Sequence, residues 1–316
     1  MGNRKRKIKM IYGIIQDTTA IATAFFTVKR AASDAKVAII RATKHRNRSV
    51  PPSEARVVAV LSLEQVSSNG ACFATEALIH RLHKTGDASV AMKCLHIIHS
   101  GLQTGSFVVR DQLSSYSANG GRNFLNMARF HDKTDNDAWE LSMWVRWYAS
   151  IIEQEFTVSR ILGFPFALKG DTTTNEKRQK RVSYSETAHL IEEIEALINL
   201  VEIISDAPSA GSSESNGLAV ESLRLVSDDY DASQKEIQLR IKEFQDRVLG
   251  LSYDETSKVV DKLKRLQARN ERLVSLFFRR KKHDEFWETV EGYEQRFTME
   301  TMEKVKKLQV IVAARW

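Results

Sequence analysis

The sequence predicts an all-α fold, and three observations carry that expectation. Apolar residues recur at spacings of three and four in segment after segment, which lines them along one face of a helix. Helix breakers are scarce: 4 prolines and 14 glycines in 316 residues fall below the roughly 5% and 7% of an average chain. No segment alternates convincingly with the period of two that a half-buried strand requires. With 42% hydrophobic residues the chain can bury one large core or two modest ones, which excludes disorder and a disulfide-stapled miniprotein.

The chain opens with Arg4, Lys5, Arg6, Lys7 and Lys9 running into Ile8, Met10, Ile11, Tyr12, Ile14 and Ile15. Such a mixture suits a helix lying in a lipid interface, and the five cations are candidate membrane contacts; the alternative is a frayed, solubilising terminus. Gly2 invites a myristoyl anchor, but the acylation pattern asks for Ser or Thr where this chain has Arg6. A second cationic cluster, Arg41, Lys44, His45, Arg46 and Arg48, precedes Pro51 and Pro52, with Arg56 just beyond them. Several donors converging beside a helix end are what a polyphosphorylated headgroup requires. The cluster offers no aromatic platform for bases, which argues against nucleic acid as the partner.

Helical stripes follow over Val57–Val66, Cys72–Leu82, Val90–Leu102 and Trp139–Ile152. Lys169–Ser185 has almost no apolar residues and reads as an exposed basic linker, and Ser205–Gly217 reads as a smaller loop. Val259, Leu263, Leu266, Asn270, Leu273 and Phe277 then step by four and three in alternation, a coiled-coil seam too short to stand alone. Its plainer meaning is one core-facing helix of an antiparallel pair, beside a closing helix over Phe286–Val312. All four prolines lie between stripes. Successive helical hairpins of this kind are how an α-solenoid with diverged units is written.

The net charge of +7 is unevenly placed: residues 1–56 balance at +10, leaving −3 for the rest. One end of the molecule is a cation, which points to an anionic partner met there. Two cysteines, Cys72 and Cys94, make no disulfide framework, and the opening residues lack a signal-peptide core, so the expected setting is the reducing cytosol. No apolar run approaches the roughly 18 residues of a membrane span.

Catalytic chemistry finds little support. There is no GxSxG elbow, no phosphate-binding GxxxxGK loop and no GxGxxG. His80 with His83, and His96 with His99, have i,i+3 spacing near Cys72 and Cys94, but no CxxC or HExxH accompanies them, so packing roles are expected. Asp132, Asp135 and Asp137 lack the glycine of a calcium loop and read as a solvated loop, and Glu192, Glu193 and Glu195 as a solvated helix face. No catalytic residue, metal or cofactor is expected.

The runs Met92–His99, Gly105, Gly121–Asp132 and Trp139–Tyr148 resemble the ANTH domain of clathrin assembly proteins, within the ENTH/ANTH/VHS superfamily. Arg41-Ala42-Thr43-Lys44-His45 is similar to that family's cation-Ala-Thr-x-His segment, and Leu273–Phe297, with Lys281 and Lys282, to its late helical region. The resemblance implies a right-handed α-solenoid over residues 1–163, a basic linker over 164–185, and a C-terminal helical part over 186–316 built from long antiparallel helices.

It further implies a non-catalytic adaptor that docks on phosphatidylinositol bisphosphate, supports clathrin coat assembly and vesicle budding in endocytosis, and binds vesicle SNARE helices through its later helices. The implied headgroup contacts are Arg41, Lys44, His45, Arg46, Arg48 and Arg56. The implied location is cytoplasmic and peripheral, at coated pits, coated vesicles, the plasma membrane and the Golgi. Two departures qualify this. After the proline the family carries Lys-x-Lys followed by His or Tyr, where this chain has Ser53-Glu54-Ala55-Arg56; and neither Asp-Leu-Leu nor Asn-Pro-Phe is present, so clathrin contact is expected to be weak or indirect, as in short plant members. Glu54 keeps an alternative open: a lipid-independent helical scaffold for SNARE or other partner helices.

Overall fold

A computed structural model describes residues 2–24, 30–66, 69–120, 124–166, 172–208, 216–277 and 283–313. Among them every α or β element is helical, as the spacing of apolar residues predicts. The chain divides into two compact units, one of Met1–Phe156 with Ala207–Val226, the other of Thr157–Asp206 with Ser227–Trp316.

The first unit is built on α1 (Gly2–Ala24), α2 (Arg30–Ala42), α3 (Glu54–Leu61), α4 (Leu63–Val66), α5 (Gly70–Lys84), α6 (Ala88–Thr104) and α7 (Phe107–Gly120). To these it adds α8 (Asn136–Leu162) as far as Phe156 and the opening of α11 (Gly217–Arg247). Helix α1 packs on α2, α2 on α3 and α5, and α5 on α6 and α7. The stripe expected over Val57–Val66 is broken at Ser62 into α3 and α4. Helix α6 is the buried centre: every residue from Ala88 to His99 is buried, not only the stripe of Val90, Cys94, Leu95 and Ile98. Asp87 starts it by accepting from the backbone N–H groups of Ser89 (2.9 Å) and Val90 (3.3 Å), which satisfies two donors a helix start leaves free.

His96 and His99 are buried on α6, where His99 Nδ1 lies 2.8 Å from the Tyr148 hydroxyl and its Nε2 3.3 Å from a Glu155 carboxylate oxygen. Burial lowers His96 to a pKa of about 4, so its ring is neutral inside the core.

The second unit holds α9 (Thr172–Tyr184), α10 (Thr187–Ser205), the rest of α11, α12 (Tyr253–Gln267), α13 (Asn270–Phe277) and α14 (His283–Ala313). Helix α12 packs against both α10 and α14. Three expectations are corrected. The stretch expected to be an exposed linker carries α9 over Thr172–Tyr184, and its Arg178 and Arg181 stack on the Phe164 ring at 4.7 and 5.5 Å. The seam from Val259 to Phe277 is not one helix: Arg269 N–H bonds back to the Leu266 carbonyl, a three-residue turn that separates α12 from α13, although Val259, Leu263, Leu266, Leu273 and Phe277 are all buried. Nor are Glu193 and Glu195 solvated: Glu193 pairs with fully buried Arg240 at 2.8 Å, and Glu195 with Lys262 and Arg265 at 2.7 Å each.

Candidate functional site

Helix α1 is amphipathic with its apolar side turned outward. Ile8, Ile11, Tyr12 and Ile15 follow the i, i+3, i+4, i+7 spacing of one face and are 59%, 55%, 62% and 55% exposed. Lys5 and Lys7 flank that stripe, one on each side at 3.6 residues per turn, and Arg4 extends it; all three are exposed. The opposite face, Arg6, Lys9, Gly13 and Asp17, is polar or small and turns toward the protein. Gly13 is required there, because a Cβ would lie 2.4 Å from the His45 ring.

That inner face is fastened by charge. Lys9 donates to Asp132 (2.6 Å), to Thr134 (2.8 Å) and to the Gly86 carbonyl (2.9 Å), and Arg6 pairs with Asp137 at 2.9 Å and Asp135 at 3.8 Å. Arg48 approaches Asp87 (3.3 Å), Asp132 (3.6 Å) and Asp135 (4.0 Å). The loop expected to be solvated is therefore a counter-charge: Asp132 is 1% exposed and also accepts from Ala88 N–H at 3.0 Å, while Asp135 starts α8 by accepting from Ala138 N–H at 2.8 Å. Burial pushes the Asp132 carboxyl up, but the hydrogen bonds from Lys9 and Thr134 outweigh it and hold the group below its ordinary value.

A second buried network shapes the segment after α2. Asp17 accepts from His45 Nδ1 at 2.9 Å and from Arg81 Nη2 at 2.8 Å, and Arg81 also donates to the Thr43 hydroxyl (2.5 Å) and carbonyl (2.9 Å). Burial raises the Asp17 carboxyl, yet the His45 hydrogen bond and the Arg81 charge leave it lowered overall. From α6, Lys93 donates to the carbonyls of Lys44 (2.8 Å), Arg46 (3.1 Å) and Asn47 (3.1 Å), and Asn47 takes a positive φ of 59°. Burial lowers Lys93 to a pKa of about 8, so its ammonium is mostly retained at neutral pH.

The expected headgroup residues thus fall into two sets. His45 and Arg48 are taken up by internal carboxylates, as are Arg6 and Lys9 among the expected membrane contacts. Arg41, in the last turn of α2, Arg46, and Arg56, in the first turn of α3, are exposed, Lys44 is half-buried, and α2 packs on α3. Glu54 is exposed in the same first turn as Arg56. Asp17, Arg81 and Lys93 were not singled out from the sequence; the available signal was Asp17, the sole acid before Asp34 in a strongly cationic stretch. Gly121, Arg122, Asn123, Lys281 and Lys282 lie outside the described residues. No described helix is long and apolar enough to cross a membrane.

Stacked helices offering an outward apolar stripe edged with exposed cations define an all-α binding module. The ANTH domain model matches residues 34–286, and the chain belongs to that family. Three Arabidopsis thaliana proteins, each named "Putative clathrin assembly protein", are among its relatives. One is 39% identical over 76% of this chain and 66% of its own length, a second 32% over 68% and 36%, and a third 30% over 81% and 75%. The chain thus spans between about a third and three quarters of the length of these relatives.

Proposed function

We propose that the chain is a non-catalytic clathrin assembly adaptor of endocytosis that docks peripherally on membranes rich in phosphatidylinositol bisphosphate. The observation that carries this is the outward stripe Ile8, Ile11, Tyr12 and Ile15 with Arg4, Lys5 and Lys7 around it. An apolar face a few residues wide, edged with cations, seats in the headgroup and acyl boundary of an anionic bilayer. Arg41, Lys44, Arg46 and Arg56 supply headgroup donors on the neighbouring α2 end and α3 start, while His45 and Arg48 shape that segment from inside. Each cation near such a surface contributes about 1 kcal/mol, so six or seven give useful, salt-sensitive binding.

The names of the relatives support the clathrin role, and the location proposed for it is coated pits and vesicles of the plasma membrane and Golgi. Vesicle sedimentation tests the lipid role: pelleting rises with phosphatidylinositol bisphosphate content, and equal pelleting without it rejects the proposal. Charge reversal of Arg41 and Lys44 weakens pelleting more than reversal of Lys281 and Lys282; the inverse ranking would move the site. Glu54, exposed beside Arg56, favours a second reading as a lipid-independent scaffold for vesicle SNARE helices. Capture of SNARE peptides in lipid-free buffer by a chain that ignores all vesicles would select it.

A further inference from the structure

Residues 43–53, between the end of α2 and the start of α3, carry no helix. Within them Ser49 and Val50 are exposed, and the Ser49 hydroxyl makes no hydrogen bond among the described residues. The backbone beneath is fixed all the same. Gly217 packs so closely on the Ser49 carbonyl that a Cβ there would lie 2.6 Å away, and Lys93 holds the carbonyls of Lys44, Arg46 and Asn47. The hydroxyl therefore stands in solvent on a steady, non-helical frame.

The residues around it form a charge pattern. Arg46 and Lys44 come three and five residues before Ser49, and apolar Val50 follows it directly. Arg46 is exposed and Lys44 half-buried, while Arg48 is held by Asp87 and Asp132. Protein kinases select substrates by such patterns, an acidic groove reading cations on the N-terminal side of the acceptor. Two nearby alternatives fit less well. Ser53 is exposed but has Val50 three residues before it and Glu54 after it. Ser183 follows Lys180 and Arg181, but its hydroxyl bonds the Lys180 carbonyl at 2.8 Å inside α9 and its neighbour Val182 is buried, so that helix end would have to unwind.

We propose that Ser49 is a phosphorylation site for a serine/threonine kinase that reads basic residues, and that its phosphate weakens docking on anionic membranes. Ser49 Oγ bonds to the γ-phosphorus of ATP, the bond from that phosphorus to ADP breaks, and the hydroxyl proton passes to the kinase's base. The product carries about −1.5 to −2 charges at neutral pH. Arg46 is at most about 11 Å away along the chain, comparable with the roughly 8–10 Å over which salt screens charge. Together with Glu54 the phosphate offsets most of the outward set of Arg41, Lys44, Arg46 and Arg56. The cleft that Ser49 borders sets Asp135, Asp137 and Glu140 against Arg6 and Arg48, a surplus of acid that turns the phosphate outward. The membrane effect rests on the docking proposed above; the acceptor site does not.

The test incubates the full chain with magnesium ATP and the catalytic subunit of cyclic-AMP-dependent protein kinase, maps phosphate by tandem mass spectrometry, and titrates the product with vesicles containing phosphatidylinositol bisphosphate. Phosphate is expected on Ser49, at a rate lowered about tenfold in Arg46→Gln and unchanged in Ser53→Ala. The phosphorylated chain binds vesicles about tenfold more weakly than a Ser49→Ala chain treated in parallel, which carries any phosphate placed elsewhere. The Ser49 side chain is exposed and makes no bond, so Ser49→Ala and Ser49→Glu fold, and Ser49→Glu loses part of the affinity with no kinase present. Absence of phosphate from Ser49, or a rate indifferent to Arg46, would overturn the inference. So would equal vesicle binding by the phosphorylated chain and its Ser49→Ala control when the untreated chain binds. An untreated chain that ignores all vesicles defeats the docking proposal instead, and phosphate mapping then decides Ser49 alone.

Discussion

Replacing Ile8, Ile11 and Ile15 together by serine removes the apolar stripe of α1 while leaving every charge in place. The three side chains are 59%, 55% and 55% exposed in the free protein, so about half of each remains to be taken out of water by a bilayer. Full burial of an isoleucine is worth about 2–3 kcal/mol, which makes the remaining half about 1 kcal/mol each and the triple change about 3 kcal/mol. At 1.4 kcal/mol per factor of ten, vesicle affinity falls about a hundredfold. The inward face, with Lys9 on Asp132 and Arg6 on Asp137, is untouched, so the melting temperature stays close to that of the unaltered chain. The assay is a vesicle titration at two salt concentrations: the variant shifts the isotherm to higher lipid at both salts and leaves the salt dependence alone, since the cations remain. Pelleting within twofold of the unaltered chain, or a loss of binding matched by a loss of folded protein, refutes the reasoning.

Asp132→Ala strands Lys9 and removes the acceptor of Ala88 N–H, and lowers the stability of the first unit by about 3 kcal/mol in denaturant titration at neutral pH. The Asp17 and Asp132 carboxyls are held below their ordinary values, so their stabilisation is complete above about pH 4 and is lost as pH falls further; Asp132→Ala therefore also shows a shallower acid-side loss than the unaltered chain. Glu153 shows the opposite sign. Burial raises its pKa to about 7 against the ordinary 4.5, so between these values the folded chain holds more protons than the unfolded one and stability falls as pH rises. Glu153→Gln, which keeps an acceptor for Leu125 N–H, melts higher than the unaltered chain at about pH 8 and the same at about pH 4; equal melting at both would sink this account. In the second unit, Arg240→Ala removes the buried cation shared by Glu193 and Glu236, leaving Glu236 with Arg178 at 3.1 Å and Glu193 with His189 at 3.2 Å, at a cost of about 3 kcal/mol by thermal or denaturant melting.

The all-helical architecture was legible because apolar spacing reports a helix face whatever the helix packs against. Single breaks were not: Ser62 and the turn at Ala268 and Arg269 lie within uninterrupted apolar patterns, and only backbone hydrogen bonding reveals them. Helix α9 was hidden for the converse reason, since a polar, basic segment carries no apolar stripe to announce it, and aromatic stacking on Phe164 is a contact across sequence. In the site, the cationic cluster was visible as composition, but which cations remain available depends on distant acids. Lys9 and Arg48 meet Asp132 from more than eighty residues away, and nothing local to either marks the encounter. The outward face of α1 was likewise invisible from periodicity, which locates a stripe without saying which way it points.

Because Lys93, Arg81 and Asp17 hold the backbone around Lys44, Arg46 and Asn47 from within, the segment's shape is indifferent to what its outward side chains carry. Scaffold and contact surface are therefore separately mutable: the charges at positions 41, 46, 54 and 56 can be exchanged one by one without refolding the frame beneath them. A chain built this way can change the charge it presents outward, where Glu54 and Arg56 share the first turn of α3, while its interior helix stays fixed.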